Sequence, residues 1–224
     1  MNSLKISKRL LAAAELSRNG VRIADVGTDH AYLPIYLLCE GKISGGVVTD
    51  INKGPIERAR AHISEYMASD KLTAIQCDGL SAVEPHSVDD IFILGMGGEL
   101  IAKIISEAEW TKDSGVRLIL QPMTHPEILR GFLLDNGYEI ISETLVRDEK
   151  IYQLMAAEYS GKTEQYNCLE LMFGKINLKE KTPLLCELLD RTERVMSERI
   201  RGKNTAGADT SFEENIIKMI GEIK

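Results

Sequence analysis

The chain has 224 residues, 44% hydrophobic and 27% charged, proportions of a folded protein that exclude a disordered or collagen-like chain. Its net charge of -7 argues against a broadly basic nucleic-acid-binding surface. No run approaches the ~20 apolar residues of a membrane span and the N-terminus lacks a small-residue cleavage site, so a cytoplasmic protein is expected.

In chain order, a basic N-terminal segment carries Lys5, Lys8, Arg9 and Arg18. The apolar runs "VRIADV", "GGVVTD", "LTAIQC", "DIFILG" and "VRLILQP" then alternate with helix-like stretches such as "PIERARAHISEYMA" and "GELIAKIISEAE". This rhythm predicts βαβ units around a parallel sheet, with Val/Ile/Leu-rich strands covered on both faces. After the helix "PEILRGFLLDNG", the segment "YEIISETLVRDEKIYQLMAAEY" reads as two long strands joined at Asp148-Glu149. A mostly parallel sheet that ends in an antiparallel hairpin points to the Rossmann-like class I methyltransferase arrangement, not to an all-parallel dinucleotide fold.

From about Tyr166 the spacing is helical, with Leu184, Leu185, Leu188, Leu189, Val195, Met196 and Ile200 on one segment and Phe212, Ile216, Met219, Ile220 and Ile223 on another. Between them "RGKNTAGADTS" reads as a loop, with Asp209, Thr210 or Ser211 capping the second helix. The predicted organisation is a domain over residues 1–160 and a coiled-coil-like helical hairpin over 161–224. Residues 160–224 carry 11 basic and 11 acidic side chains, so the acidity belongs to the first part. Lys175, Lys179, Lys181, Arg191, Arg194, Arg199, Arg201 and Lys203 leave room for a basic face on the tail. Cys39, Cys77, Cys168 and Cys186 are scattered without metal-ligand spacing, so structural thiols and no bound metal are expected.

Ligands of a doubly wound sheet sit beyond the carboxyl ends of its strands. Four polar interruptions fall there: Asp25-Val26-Gly27-Thr28-Asp29-His30, Thr49-Asp50-Ile51, Cys77-Asp78-Gly79 and Gly95-Met96-Gly97-Gly98. A nicotinamide dinucleotide needs a three-glycine turn for its pyrophosphate, and only Gly27 is present. Two carboxylates at that turn would repel a pyrophosphate and suit a cationic amino acid end. S-adenosylmethionine meets that description, with Asp50 suited to its ribose and Asp78 to its adenine amino group.

The blocks "ISKRLLAAAEL", "ADVGTDHAYLPIYL", "GMGGELIAKII" and "LILQPMTHPEILRGFL", followed by the helical tail, resemble the bacterial tRNA adenine-N1 methyltransferases that modify adenine 22. The resemblance implies an S-adenosylmethionine site at Asp25, Gly27, Thr28, Asp29, His30, Asp50, Ile51, Asp78, Gly79, Gly95, Met96 and Gly97. It also implies methyl transfer to N1 of an adenine in tRNA. For that reaction Asp29 is the expected charge-stabilising residue, with His30 and Tyr32 orienting the base or cofactor. Lys8, Arg9 and Gln121 are the candidate substrate contacts, and a monomer or weak homodimer is expected. In that family the block at Gln121-Pro122-Met123 often ends in Asn, so an amide contact at Met123 is not carried over. An Asn-Pro-Pro-Tyr motif is absent as well. The competing readings are a small-molecule methyltransferase and a non-catalytic binding module on the same fold.

Overall fold

The computed structural model describes residues 4–113 and 115–224. Helix α1 (Lys8–Leu16) starts where the Ser7 hydroxyl accepts from the Leu10 N–H, and it buries Ala12, Ala13 and Ala14. The apolar runs form β1 (Val21–Val26), β2 (Ile43–Asp50), β3 (Leu72–Gln76), β4 (Asp90–Gly97) and β5 (Arg117–Thr124). Between them lie α2 (Tyr32–Cys39), α3 (Lys53–Glu65) and α4 (Gly98–Ser106), with α5 (Pro126–Asp135) after β5. The connection from β3 to β4, residues 77–89, is built of turns.

The hairpin predicted around Asp148-Glu149 is β6 (Tyr138–Arg147) and β7 (Ile151–Tyr159). The seven strands run in the order β3-β2-β1-β4-β5-β7-β6, with β7 antiparallel between β5 and β6. The chain winds outward from β1 to β3 and returns to place β4 against the other side of β1. That reversal opens a crevice at the carboxyl ends of β1 and β4. One face of the sheet packs Ile101, Ile105, Leu129 and Leu133 of α4 and α5, and the other packs the alanines of α1 with Leu33, Ile35, Ile56 and Ile63 of α2 and α3. Strands buried from both sides explain the near-continuous apolar runs.

The tail differs from a simple hairpin. It comprises α6 (Cys168–Phe173), α7 (Lys175–Glu180), α8 (Pro183–Ala206) and α9 (Ser211–Ile223). Leu185, Leu189 and Met196 of α8 pack on Ile216 and Ile220 of α9, on Leu169 and Phe173 of α6, and on Leu145 of β6. The stretch Arg201–Ala206, expected in the loop, continues α8 instead. Lys203 pairs with Glu213 at 2.8 Å across the two helices, and Gly207 in the left-handed conformation (φ 66°) ends α8 by donating to Asn204 and Lys203 carbonyls. Only residues 207–210 are left for the turn, where Asp209 Oδ1 accepts from the Ser211 N–H at 3.0 Å.

Arg130 of α5 fixes this tail to the sheet. Its side chain and that of Glu143 on β6 are both fully buried, with Nε to Oε1 at 2.8 Å. Its Nη1 donates to the carbonyls of Leu171 and Met172 in α6, its Nη2 donates to Gln153 of β7, and Glu143 Oε2 accepts the Ile176 N–H of α7 at 2.9 Å. Arg18, counted from sequence with the N-terminal basic face, lies elsewhere. It donates to buried Asp90 and to the carbonyls of Asp89 and Gly115, at the amino end of β4 and away from the crevice.

Removing one partner of a buried pair leaves an uncompensated charge, so Arg130→Met is expected to destabilise the protein by about 3–5 kcal/mol. Adding Glu143→Leu to that variant should restore much of the loss, as read from urea unfolding midpoints.

Candidate active site

Beyond β1, the Gly27 and Thr28 N–H groups both donate to the Thr49 carbonyl, at 2.8 and 3.0 Å, pinning the turn to β2. Gly27 has φ +77°, a conformation that L side chains rarely adopt, so this position favours glycine; a Cβ there would meet only the flexible tip of Met96. Thr28 is buried, and its Oγ1 accepts from the Ala31 N–H at 3.0 Å to start α2. On β2, Thr49 Oγ1 donates to the Gly79 carbonyl at 2.9 Å, and Asp50 Oδ1 accepts from the Asn52 N–H at 2.7 Å. These bonds bring the β1, β2 and β3 ends onto one rim. Asp50 keeps its second oxygen for a ligand, Asp78 is exposed, and Ile51 stands 58% exposed at the end of β2. Gly95, Met96 and Gly97 occupy a bulged end of β4, where the register against β5 shifts twice.

A cavity of about 260 Å³ opens at this rim, lined among others by Arg9, Asp25, Gly27, Asp29, His30 and Tyr32. Asp25 is its buried carboxylate. Burial raises its pKa from 3.8 to about 6, against the lowering effects of the Thr28 hydroxyl and the Arg9 charge. Asp29 behaves oppositely, since hydrogen bonds from Arg58 hold its carboxyl below the usual range. Arg58 Nε reaches Asp29 Oδ1 at 3.1 Å, while His30 Nε2 lies 3.2 Å from Oδ2. His30, Tyr32 and His62 form a cluster of near-parallel rings with centroids 5.0–5.3 Å apart. His62 Nδ1 lies 3.1 Å from the His30 carbonyl oxygen, and His30 Nδ1 is buried without a partner.

The candidate substrate residues separate. Lys8 is exposed, whereas Arg9 turns inward. Gln121 is fully buried, accepting from Arg9 Nη1 at 2.7 Å and donating to the Pro122 carbonyl at 2.9 Å, so it reaches a ligand only through Arg9. Met123 is 38% exposed and meets the Gln121 amide through its sulfur at 3.5 Å. Sequence reading missed Arg58 and His62. They sit four residues apart on one face of α3, a spacing that was readable, but their partners Asp29 and His30 are about thirty residues away.

Buried Asp25, the free oxygen of Asp50, exposed Asp78 and Ile51, and a glycine turn with a left-handed backbone fit a cationic nucleoside cofactor. This cleft on a doubly wound sheet with an inserted antiparallel strand is that of a methyltransferase-domain protein, and the Methyltransferase domain model matches residues 6–155. The tRNA (adenine(22)-N(1))-methyltransferase of Bacillus subtilis is 36% identical over 177 residues, 79% of this chain and 74% of that relative. The chain belongs to that family. The solved structure of the B. subtilis m1A22 tRNA methyltransferase TrmK superposes with a TM-score of 0.84 at 30% identity, covering 98% of this chain and 95% of that one. A Streptococcus pneumoniae protein solved in complex with S-adenosyl-L-methionine has a TM-score of 0.87 at 29% identity, covering 98% of this chain and 99% of that one. Among the described residues no helix is long and apolar enough to cross a membrane, and no cluster of three His, Cys, Asp or Glu could hold a metal ion.

The raised Asp25 pKa has a measurable sign. With 3.8 for an unperturbed carboxyl and about 6 in the fold, the folded state binds the proton more tightly, so Asp25 favours folding at low pH. That contribution, about 3 kcal/mol, is complete below about pH 4 and lost as pH rises through about 6. Without cofactor, wild type should therefore lose stability relative to Asp25→Asn between about pH 4 and about pH 6.5 in urea titrations, with little further change above that range. Asp25→Asn should also weaken binding of a cationic ligand.

Proposed function

We propose that the protein transfers the methyl group of S-adenosylmethionine to N1 of adenine 22 in tRNA. The observation that carries this reading is buried Asp25 at the crevice floor, hydrogen-bonded by Thr28 but without an ion-pair partner among the described residues, on a chain that shares this family's sequence across most of its length. The cofactor supplies a methyl group on a cationic sulfur. Asp25 faces its cationic amino acid end, Asp50 takes the ribose hydroxyls, and Ile51, Asp78 and Gly79 receive the adenine. Thr28 holds the turn, and Gly95, Met96 and Gly97 form the wall toward the substrate base.

Adenine N1 carries an in-plane lone pair, so the neutral base is already a nucleophile and needs no strong general base. Catalysis reduces to alignment and stabilisation of the positive charge that moves onto the adenine. Asp29 stands at the cavity mouth with its charge shared by Arg58 and His30. Tyr32, exposed on one side and stacked on His30 on the other, gives the base a surface to lie on. N1 lies on the pairing edge, so the adenine must leave its helix before reacting.

Residues 1–160 carry this chemistry, and residues 161–224, with Lys8, grip the RNA. Arg191 and Arg199 project from one stripe of α8 into a groove of about 570 Å³ that runs from His125, just beyond β5, to Phe212 of α9. Neither guanidinium has a carboxylate partner within ion-pair distance among the described residues, unlike Lys175, Lys203 and Lys224. We infer a cytoplasmic monomer or weak homodimer.

Nucleoside analysis of tRNA after incubation with cofactor should show 1-methyladenosine, and its absence from every tRNA tested would overturn the reading. Asp29→Asn should lower the single-turnover rate at saturating cofactor by roughly tenfold or more. The double variant Arg191→Glu, Arg199→Glu should weaken tRNA binding and flatten its salt dependence by about one unit of slope per lost phosphate contact, without affecting cofactor affinity.

A further inference from the structure

Three of the exposed large apolar side chains, Ile128 of α5, Val195 of α8 and Phe212 of α9, line one groove, and Met172 and Leu188 deepen it. On α8, Leu188, Arg191, Val195 and Arg199 follow one another at three or four residues, so apolar and cationic groups alternate along one wall. The two arginines stand about 12 Å apart along the helix axis. Apolar side chains gathered in one exposed concavity mark a contact surface, and the arginines set its charge.

That charge is unanswered from within the chain. The one acidic residue lining the groove is Glu127, which lies 3.1 Å from His125 Nδ1 at the β5 end. Neither Arg191 nor Arg199 meets a carboxylate within ion-pair distance among the described residues. Another face of the same helix shows the ordinary solvated pattern, with Arg194 and Arg201 set among Asp190, Glu193 and Glu198. The occupant must therefore be both apolar and anionic. An RNA duplex offers phosphates but keeps its bases stacked inside, which would leave the apolar floor unused. A nucleotide splayed out of its stack offers a base for Phe212 and a phosphate on either side for the arginines. The volume, about 570 Å³, falls within the ~300–1,000 Å³ of small-ligand pockets.

The groove shares no lining residue with the cavity at Asp25, yet it starts beside the crevice. The His125 carbonyl packs against Gly98 so closely that a Cβ there would clash, and Gly98 directly follows the Gly95-Met96-Gly97 wall. We infer that the groove captures a second, unstacked nucleotide of the tRNA, distinct from the adenine that is methylated, with its base on Phe212 and its flanking phosphates on Arg191 and Arg199. The inference rests on the tRNA reading of the chain and specifies what the tail grips: a splayed base as well as backbone. The Arg130–Glu143 pair, by fixing the tail to the sheet, then sets the distance between the two captured nucleotides.

Binding of tRNA to the full chain, measured across salt concentration, separates stacking from charge. Phe212→Leu keeps apolar volume and removes the aromatic face, so it should weaken tRNA binding by roughly 5- to 100-fold with the salt slope unchanged, because stacking releases no counterions. Phe212→Tyr should bind as wild type does. If wild type binds tRNA and Phe212→Leu binds it equally well, or loses affinity only together with salt slope, the inference is overturned and the tRNA reading stands. If wild type binds no tRNA, that reading falls and the inference with it. A second arm leaves the groove intact. In Tyr32→Leu protein, which lacks the base platform at the crevice, an adenosine pentanucleotide should bind at least about fivefold more tightly than an abasic pentamer with the same phosphates. Equal binding of the two overturns the inference whether or not Phe212→Leu folds, and adding Phe212→Leu should abolish the preference. A dimer, seen by sedimentation, that Phe212→Leu dissolves without changing tRNA affinity would assign the groove to a second copy of the chain and overturn the inference.

Discussion

The buried pair of Arg130 and Glu143 joins what would otherwise be two separable bodies. Two fully buried charges are tolerable only when their remaining hydrogen-bonding capacity is met, and here helices α6 and α7 meet it. The tail carbonyls at Leu171 and Met172 satisfy Arg130, and the Ile176 N–H satisfies Glu143. Removing the tail would expose an ion pair built for burial, and displacing α5 would strip α6 of its carbonyl partners. The tail is thereby held at a set angle to the sheet, and the α8 stripe with Arg191 and Arg199 keeps its place beside His125 at the carboxyl end of β5. A grip on an extended RNA is useful to a small cleft only if its distance from that cleft is constant.

Local pattern carried the sheet. Apolar runs bounded by turn residues gave β1 to β5, and the Asp148-Glu149 turn gave the hairpin, because strand length and flanking turns are local properties. The tail shows the limit. Arg201 to Ala206 contains Gly202, Asn204 and Thr205, poor helix formers that read as a loop, yet a cross-helix bond from Lys203 to Glu213 and a left-handed cap at Gly207 extend α8 through them. Tertiary contacts outweighed propensity by amounts that no window of sequence contains.

The site divides in the same way. Acidic residues at strand ends were visible because polar groups there break an apolar pattern, and the structure gathers Asp25, Asp50 and Asp78 on one rim. What surrounds them was not visible. Arg58 tempers Asp29, His62 completes the ring cluster, and Gln121 serves Arg9, each through a pairing between residues roughly thirty or more positions apart. Arg18 and Arg9 are equally basic in composition, yet one supports the amino end of β4 and the other lines the cavity at the opposite end of the sheet.

Asp25 shows why the cleft breaks the rules that the rest of the fold obeys. A carboxylate at the end of a buried strand, with a pKa driven up to about 6, disfavours the folded state at neutral pH. Nothing in the fold fully compensates it, since Thr28 and Arg9 only moderate the shift. Such a local conflict persists where function requires it. A cationic ligand supplies the missing countercharge in a setting already poor in water, where the attraction is stronger than at an exposed site. The burial that penalises the free protein therefore becomes affinity in the complex. A dinucleotide site holds its pyrophosphate on backbone N–H groups and needs a run of glycines, whereas this turn carries a buried acid and a single glycine.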